Sequence, residues 1–160
     1  MTEGTPFRAT DPYDWHAILT LIQYEFAYMQ GRIDPPSSMH GLTEALIAEQ
    51  ARLGEVWVIE DNGRAVACVF LSPKPNAMYI GKLAVAATHR GRGLARVLVA
   101  VAETRAWDLA LPVLMLQTRV ELTENHATFN ALGFAITGTT SHEGFDRPTS
   151  ITMEREVPAR

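Results

Sequence analysis

The chain has 160 residues, 47% of them hydrophobic and 20% charged, with a net charge of −4. That length is enough for one domain, 1–160, with a proper core. The acidic balance argues against a general nucleic-acid binder or a basic membrane-surface protein. No stretch nears the ~18 uninterrupted apolar residues of a membrane span, and no basic segment precedes an apolar run near residue 1, so a cytoplasmic protein is expected. The lone cysteine, Cys68, lies in an apolar run. It excludes an intrachain disulfide and reads as a buried structural thiol. Five histidines lack metal-ligand spacing, so no metal is expected.

Residues 7–10 fit a short first strand, and Asp11-Pro12 then fits a helix start, with Asp as N-cap and Pro at the first helical position. Apolar residues at Trp15, Ile18, Leu19, Ile22, Phe26 and Met29 recur at three- and four-residue spacing. They predict an amphipathic helix ending near Gly31. A proline-rich loop at 34–38 leads to a second helix over 42–53, with Gly54 as its stop. Residues 55–60, 64–71 and 77–85 read as three antiparallel strands joined by tight turns, the first at Asp61-Asn62-Gly63.

The chemistry concentrates after the third of these strands. Residues 84–103 run from a strand end through Arg90-Gly91-Arg92-Gly93-Leu94-Ala95 into a long helix. That helix is expected to bury Leu94, Val97, Leu98, Val101, Ala102 and Ala106. Two glycines permit a tight turn and close approach of a ligand to the backbone. The helix N-terminus presents unpaired N–H groups and the positive end of its dipole, which suit a phosphate or pyrophosphate. Arg90, Arg92 and Arg96 add charge-assisted donors. No Lys-Ser or Lys-Thr follows the last glycine, so this is not a Walker A loop. The third small residue also falls too early for the dinucleotide-binding fingerprint.

Leu111-Pro112 breaks the helix. Residues 113–118 suit a buried strand parallel to the one before the glycine loop, because a helix crossover separates them. A short helix over 123–132 is capped by Gly133. Residues 134–139 and 148–154 close as an antiparallel pair around a loop holding His142, Glu143, Asp146 and Arg147.

Arg90-x-x-Gly93-x-Ala95 resembles the acyl-CoA pyrophosphate loop of the GNAT superfamily of N-acetyltransferases, written Q/R-x-x-G-x-G/A. The similarity spans about residues 7–154. Tyr79-Ile80-x-x-Leu83-Ala84-Val85 resembles the superfamily's fourth strand, residues 116–119 its fifth, and Ala131-Leu132-Gly133-Phe134 the end of its second CoA-binding motif. The resemblance implies a mixed α/β (α+β type) fold: a mostly antiparallel sheet flanked by helices, with the fourth and fifth strands splayed. It implies acetyl-CoA as co-substrate and a small-molecule or peptide amine as acceptor. The backbone of Leu83 and Val85 is then expected to hold the pantetheine arm. Arg90, Gly91, Arg92, Gly93, Leu94, Ala95 and Arg96 are expected to hold the pyrophosphate, with Asn125 and Phe129 also contacting the co-substrate.

Two positions depart from that pattern. Many relatives place a proton-donating tyrosine where this chain has Phe129, and often an asparagine where it has Leu122. Asn125, one turn on, is the candidate to replace the latter. The missing tyrosine leaves room for an alternative, an acyl-CoA-binding sensor with little catalysis. A third reading is an interaction domain whose arginine loop binds carboxylates. Glu121, at the end of the fifth strand, and His142, in the final loop, are the candidate catalytic bases. The acceptor is open; net charge leans towards a cationic one. Exposed edge strands leave room for a homodimer.

Overall fold

The computed structural model describes residues 4–159; residues 1–3 and 160 of the expected domain lie outside the described residues. The strands are β1 (Phe7–Arg8), β2 (Glu55–Asp61), β3 (Arg64–Pro73), β4 (Met78–Val85), β5 (Val113–Arg119), β6 (Ala135–Thr140) and β7 (Ser150–Glu156). The helices are α1 (Trp15–Glu25), α2 (Glu44–Leu53), α3 (Leu94–Asp108) and α4 (Thr123–Ala131). The strands form one sheet of order β1-β2-β3-β4-β5-β7-β6. Among the described residues only β4 and β5 pair in parallel, as the α3 crossover between them requires.

Alternation along the strands builds an apolar core on each face. On one face, Trp15, Ile18 and Ile22 of α1 and Ile47 of α2 pack on Val56, Val58, Cys68 and Phe70. On the other, Leu94, Leu98, Ala102 and Ala106 of α3 pack on Leu71, Met78, Ile80, Leu114 and Leu116. Each fully buried Leu, Ile or Val adds roughly 1.5–3 kcal/mol.

Several boundaries differ from expectation. Helix α1 is capped by Asp14, whose carboxylate accepts the Ala17 N–H at 3.3 Å. Asp11 instead accepts the Trp15 indole N–H at 2.7 Å. The helix stops at Glu25, six residues short of Gly31, and the chain continues in a 3-10 turn over Ala27–Met29. That early stop leaves Glu25 buried beside the start of the glycine loop. Val97, expected in the α3 core, is exposed, because the buried face of α3 centres between Leu98 and Ala102 and Val99 takes its other flank. Pro148, which has no N–H to give the ladder, lies outside β7, which starts at Ser150.

One irregularity in β4 bears directly on the site. Gly81 faces Phe70 and Ala84 faces Cys68, so β4 has one residue more than β3 between those pairs. Lys82 absorbs the extra residue with a φ of +48°. Such a bulge switches which face the following side chains occupy. Ala84 accordingly joins the α1/α2 core, whereas Met78 and Ile80 belong to the α3 core.

Candidate active site

Pairing between β4 and β5 is confined to Met78 with Leu114 and Tyr79 with Met115. Beyond that point the strands part, while β4 stays on β3 through Val85 and β5 stays on β7 through Arg119. The backbone groups facing the gap therefore lack ladder partners. A cleft of about 560 Å³ fills the gap, and Leu83, Val85, Ala95, Asn125, Phe129 and His142 all line it. Six residues singled out from sequence thus meet on one surface.

The glycine loop closes one end. Gly91 and Gly93 both have φ of +78°, and a Cβ at either would meet nothing within 4 Å. The glycines are there for backbone conformation, and they leave an open concavity. Gly93 caps α3 without a side-chain hydrogen bond, so the first-turn N–H groups remain available to a ligand. Leu94 is buried in the core, whereas Arg92 and Arg96 are exposed. Arg90 is differently engaged: its guanidinium donates to buried Glu25 at 2.6 Å. The other Glu25 oxygen accepts the Ala87 N–H at 3.2 Å. Beside them, His89 Nε2 and Asp61 Oδ2 lie 2.7 Å apart. These contacts fix the approach to the loop, and both carboxylates come from distant segments that sequence spacing does not reveal.

The opposite wall is the irregular chain between α1 and α2, tied across the cleft by polar contacts. Arg32 makes a two-point pair with Glu124 at 2.6 and 2.9 Å. Asn125 donates to the Tyr28 hydroxyl at 3.0 Å. Arg119 donates to the carbonyls of Pro35 and Pro36. Arg147 reaches Asp34 at 3.4 Å.

The two candidate bases differ in position. His142 lines the cleft, with Nδ1 and its backbone N–H both on the Thr149 hydroxyl oxygen. Thr149 donates its own proton to the Thr140 carbonyl. Nδ1 donates or accepts there according to the ring's tautomer, and with Nδ1 protonated Nε2 keeps its lone pair. Glu121 is not on the cleft wall; one oxygen accepts the Asp34 N–H at 3.3 Å and the other is buried without a partner.

The sequence model of the Acetyltransferase (GNAT) family matches residues 15–134. The chain belongs to that family. No curated protein matches it significantly. Its fold is similar to the ribosomal-protein-S18-alanine N-acetyltransferase of Escherichia coli, with 16% identity, TM-score 0.72, and 99% and 96% of the two chains covered. It is also similar to an IAA acetyltransferase from Bacillus cereus ATCC 14579, with 18% identity, TM-score 0.67 and coverages of 97% and 99%. A third likeness is to a GNAT family acetyltransferase from Elizabethkingia anophelis with acetyl-CoA bound, at 18% identity, TM-score 0.65 and coverages of 95% and 97%. The GNAT sheet, with its parallel fourth and fifth strands parting, is therefore present as the motif implied.

Lys82 and Arg119 also line this cleft; both lie in strands the sequence locates, and neither is singled out there as a site residue. Burial pushes the Lys82 ammonium below its usual range, and the nearby Arg119 charge adds to that. Burial likewise lowers Arg119, against the pull of Glu121 and Asp34. The signal for Lys82 is weak: strict alternation from Met78 and Ile80 places it under α3, and only the bulge brings it here.

Proposed function

We propose that the chain, as one domain, is an N-acetyltransferase that moves an acetyl group from acetyl-CoA to a primary amine by direct attack. The observation that carries this is the parting of β4 from β5 immediately ahead of the glycine loop. A pantetheine amide arm suits the unpaired edge of β4 as an added strand would. The concavity at Gly91 and Gly93 and the α3 N-terminus suit the pyrophosphate. Leu83, Val85, Ala95, Asn125 and Phe129 would form the walls along that path.

The acceptor amine attacks the thioester carbonyl carbon; a C–N bond forms, the C–S bond breaks and CoA departs. His142 Nε2 takes the proton released by the amine, and Thr149 holds the ring in that tautomer. Glu121 stands behind the wall and acts by holding the Asp34 N–H. Phe129 stacks edge-on against Phe134 at 6.0 Å and gives no proton. An ordinary thiol pKa of about 8.5 lets CoA leave as the thiolate near neutral pH. The setting is cytoplasmic and the acceptor a small molecule or peptide.

Thermal shift with acetyl-CoA, followed by thiol release over an amine panel, tests this. Ligand at about a hundred times its dissociation constant adds roughly 2.7 kcal/mol, or on the order of 5–10 °C for this size. No shift overturns the reading. A shift with no thiol release supports the sensor alternative that Phe129 suggests.

A further inference from the structure

We propose that the acceptor amine carries an anionic group, a carboxylate or a phosphate, that seats between Lys82 and Arg119 on the α1/α2 face of the cleft. This rests on the acyl-transfer reading above and names its substrate class.

Charge and face both point there. Alternation puts Leu114 and Leu116 of β5 in the α3 core, so Arg119, at odd spacing from them, lies on the opposite face. Its guanidinium indeed reaches Pro35 and Pro36. The β4 bulge brings Lys82 to the same face, where its ammonium donates to Ser38 at 2.6 Å. Both cations thus point to the segment between α1 and α2, away from α3 and the glycine loop.

Neither cation has a carboxylate within ion-pair distance among the described residues. No Asp or Glu lines the cleft among those residues. Glu121 and Asp34 attract Arg119 only from behind the wall. Two desolvated positive charges that repel each other and face a cleft are relieved by an anion, and a charge-assisted hydrogen bond is the strong kind. A polyamine or aminoglycoside would add further positive charge there. The net charge of −4 therefore misleads about the acceptor, because its acidic residues lie outside the cleft. A second recess of about 390 Å³, sharing Met29, Ile33 and Ser37 with the cleft and also lined by Pro36 and His40, would take an apolar body attached to the same amine.

The test compares amines in matched pairs. Each amino acid is set against its decarboxylated amine, and O-phosphoethanolamine against ethanolamine, with spermidine as the cationic arm. Thiol release from acetyl-CoA is read for wild type, Lys82→Gln and Lys82→Glu, with circular dichroism as the check on folding. One anionic member should exceed its partner at least tenfold in kcat/KM, and Lys82→Gln should reduce that preference about ten- to hundredfold. Lys82→Glu should shift the preference towards cationic amines, and Arg119→Gln should weaken the anion as Lys82→Gln does. The carboxylate and phosphate pairs tell which anion is used.

Calorimetry with N-acetyl amino acids on the CoA complex separates the two readings. Turnover confined to neutral or cationic amines overturns the anion seat and keeps acyl transfer. Binding of an N-acetyl amino acid that Lys82→Gln abolishes, without thiol release from any amine, overturns acyl transfer and supports the seat. Absence of both overturns both.

Discussion

The two walls of the cleft are held by different forces. The donor wall is sheet and helix: β4 stays laddered to β3, and α3 buries Leu98, Ala102 and Ala106 completely. The acceptor wall, residues 26–41, contains two 3-10 turns and buries only Met39 among its own side chains. It is positioned by side-chain contacts to residues 44–113 places away, two of them exposed ion pairs. Exposed ion pairs contribute about 0–1 kcal/mol each, against several for a buried side chain. The difference suits the two tasks. A donor common to the family needs one fixed shape, and an acceptor wall held by weak, replaceable contacts changes with sequence at little cost to the fold.

The largest effect that would sharpen this contrast is at the donor wall. Gly93→Asp places a side chain and a negative charge at the proposed pyrophosphate seat, and acetyl-CoA binding should vanish. The φ of +78° adds strain of about 1–2 kcal/mol for any other residue. Gly93→Ala therefore serves as the control for strain without charge. Thermal shift with acetyl-CoA should remain in Gly93→Ala and be absent in Gly93→Asp; retained affinity in the latter sinks the loop assignment.

Next in size is the base. His142→Ala should lower turnover by about 10²–10⁴ with acetyl-CoA affinity unchanged, and Glu121→Gln should lower it less. If both variants keep full turnover in the thiol-release assay, neither residue is the base. Smaller again is Glu25→Ala, which leaves the Ala87 N–H and the Arg90 guanidinium without their acceptor. Urea unfolding should show a loss of about 1–3 kcal/mol, accompanied by weaker acetyl-CoA binding. Unchanged affinity would mean that the loop holds its shape without this clamp.

The two walls also differ in how far the sequence exposes them. Arg90-x-x-Gly93-x-Ala95, the strand before it and the crossover after it are local, so the glycine loop, the element order and the parallel β4–β5 pair are all legible from spacing. The contacts of Glu25 with Arg90, and of Arg119 with Pro35, join residues far apart in the chain and leave no periodic trace. The single extra residue at Lys82 is marked only faintly. Gly81 inside the strand, and a lysine at the parity of Met78 and Ile80, are the traces of a bulge across residues 77–85. Strict alternation, the rule that locates the strand, places Lys82 on the wrong face.

The smallest predicted effect concerns the strap itself. The Arg32 guanidinium, bonded at two points, holds the Glu124 carboxyl down to about 2, against about 4.3 for a free glutamate. A carboxyl lowered in the folded state contributes stability that is fully present above the unfolded pKa and is lost as pH falls through the folded one. The strap should accordingly loosen between about pH 4.3 and 2 and be insensitive to pH above that window. Carboxyl titration followed by NMR should find Glu124 near 2 in the wild type and higher in Arg32→Met, where only its backbone hydrogen bond and His126 still hold it down. High salt should move it in the same direction as the substitution. A Glu124 that titrates near 4.3 in the wild type would mean the strap is not tied at this point, and that the acceptor wall is placed by Arg119 and the two proline carbonyls instead.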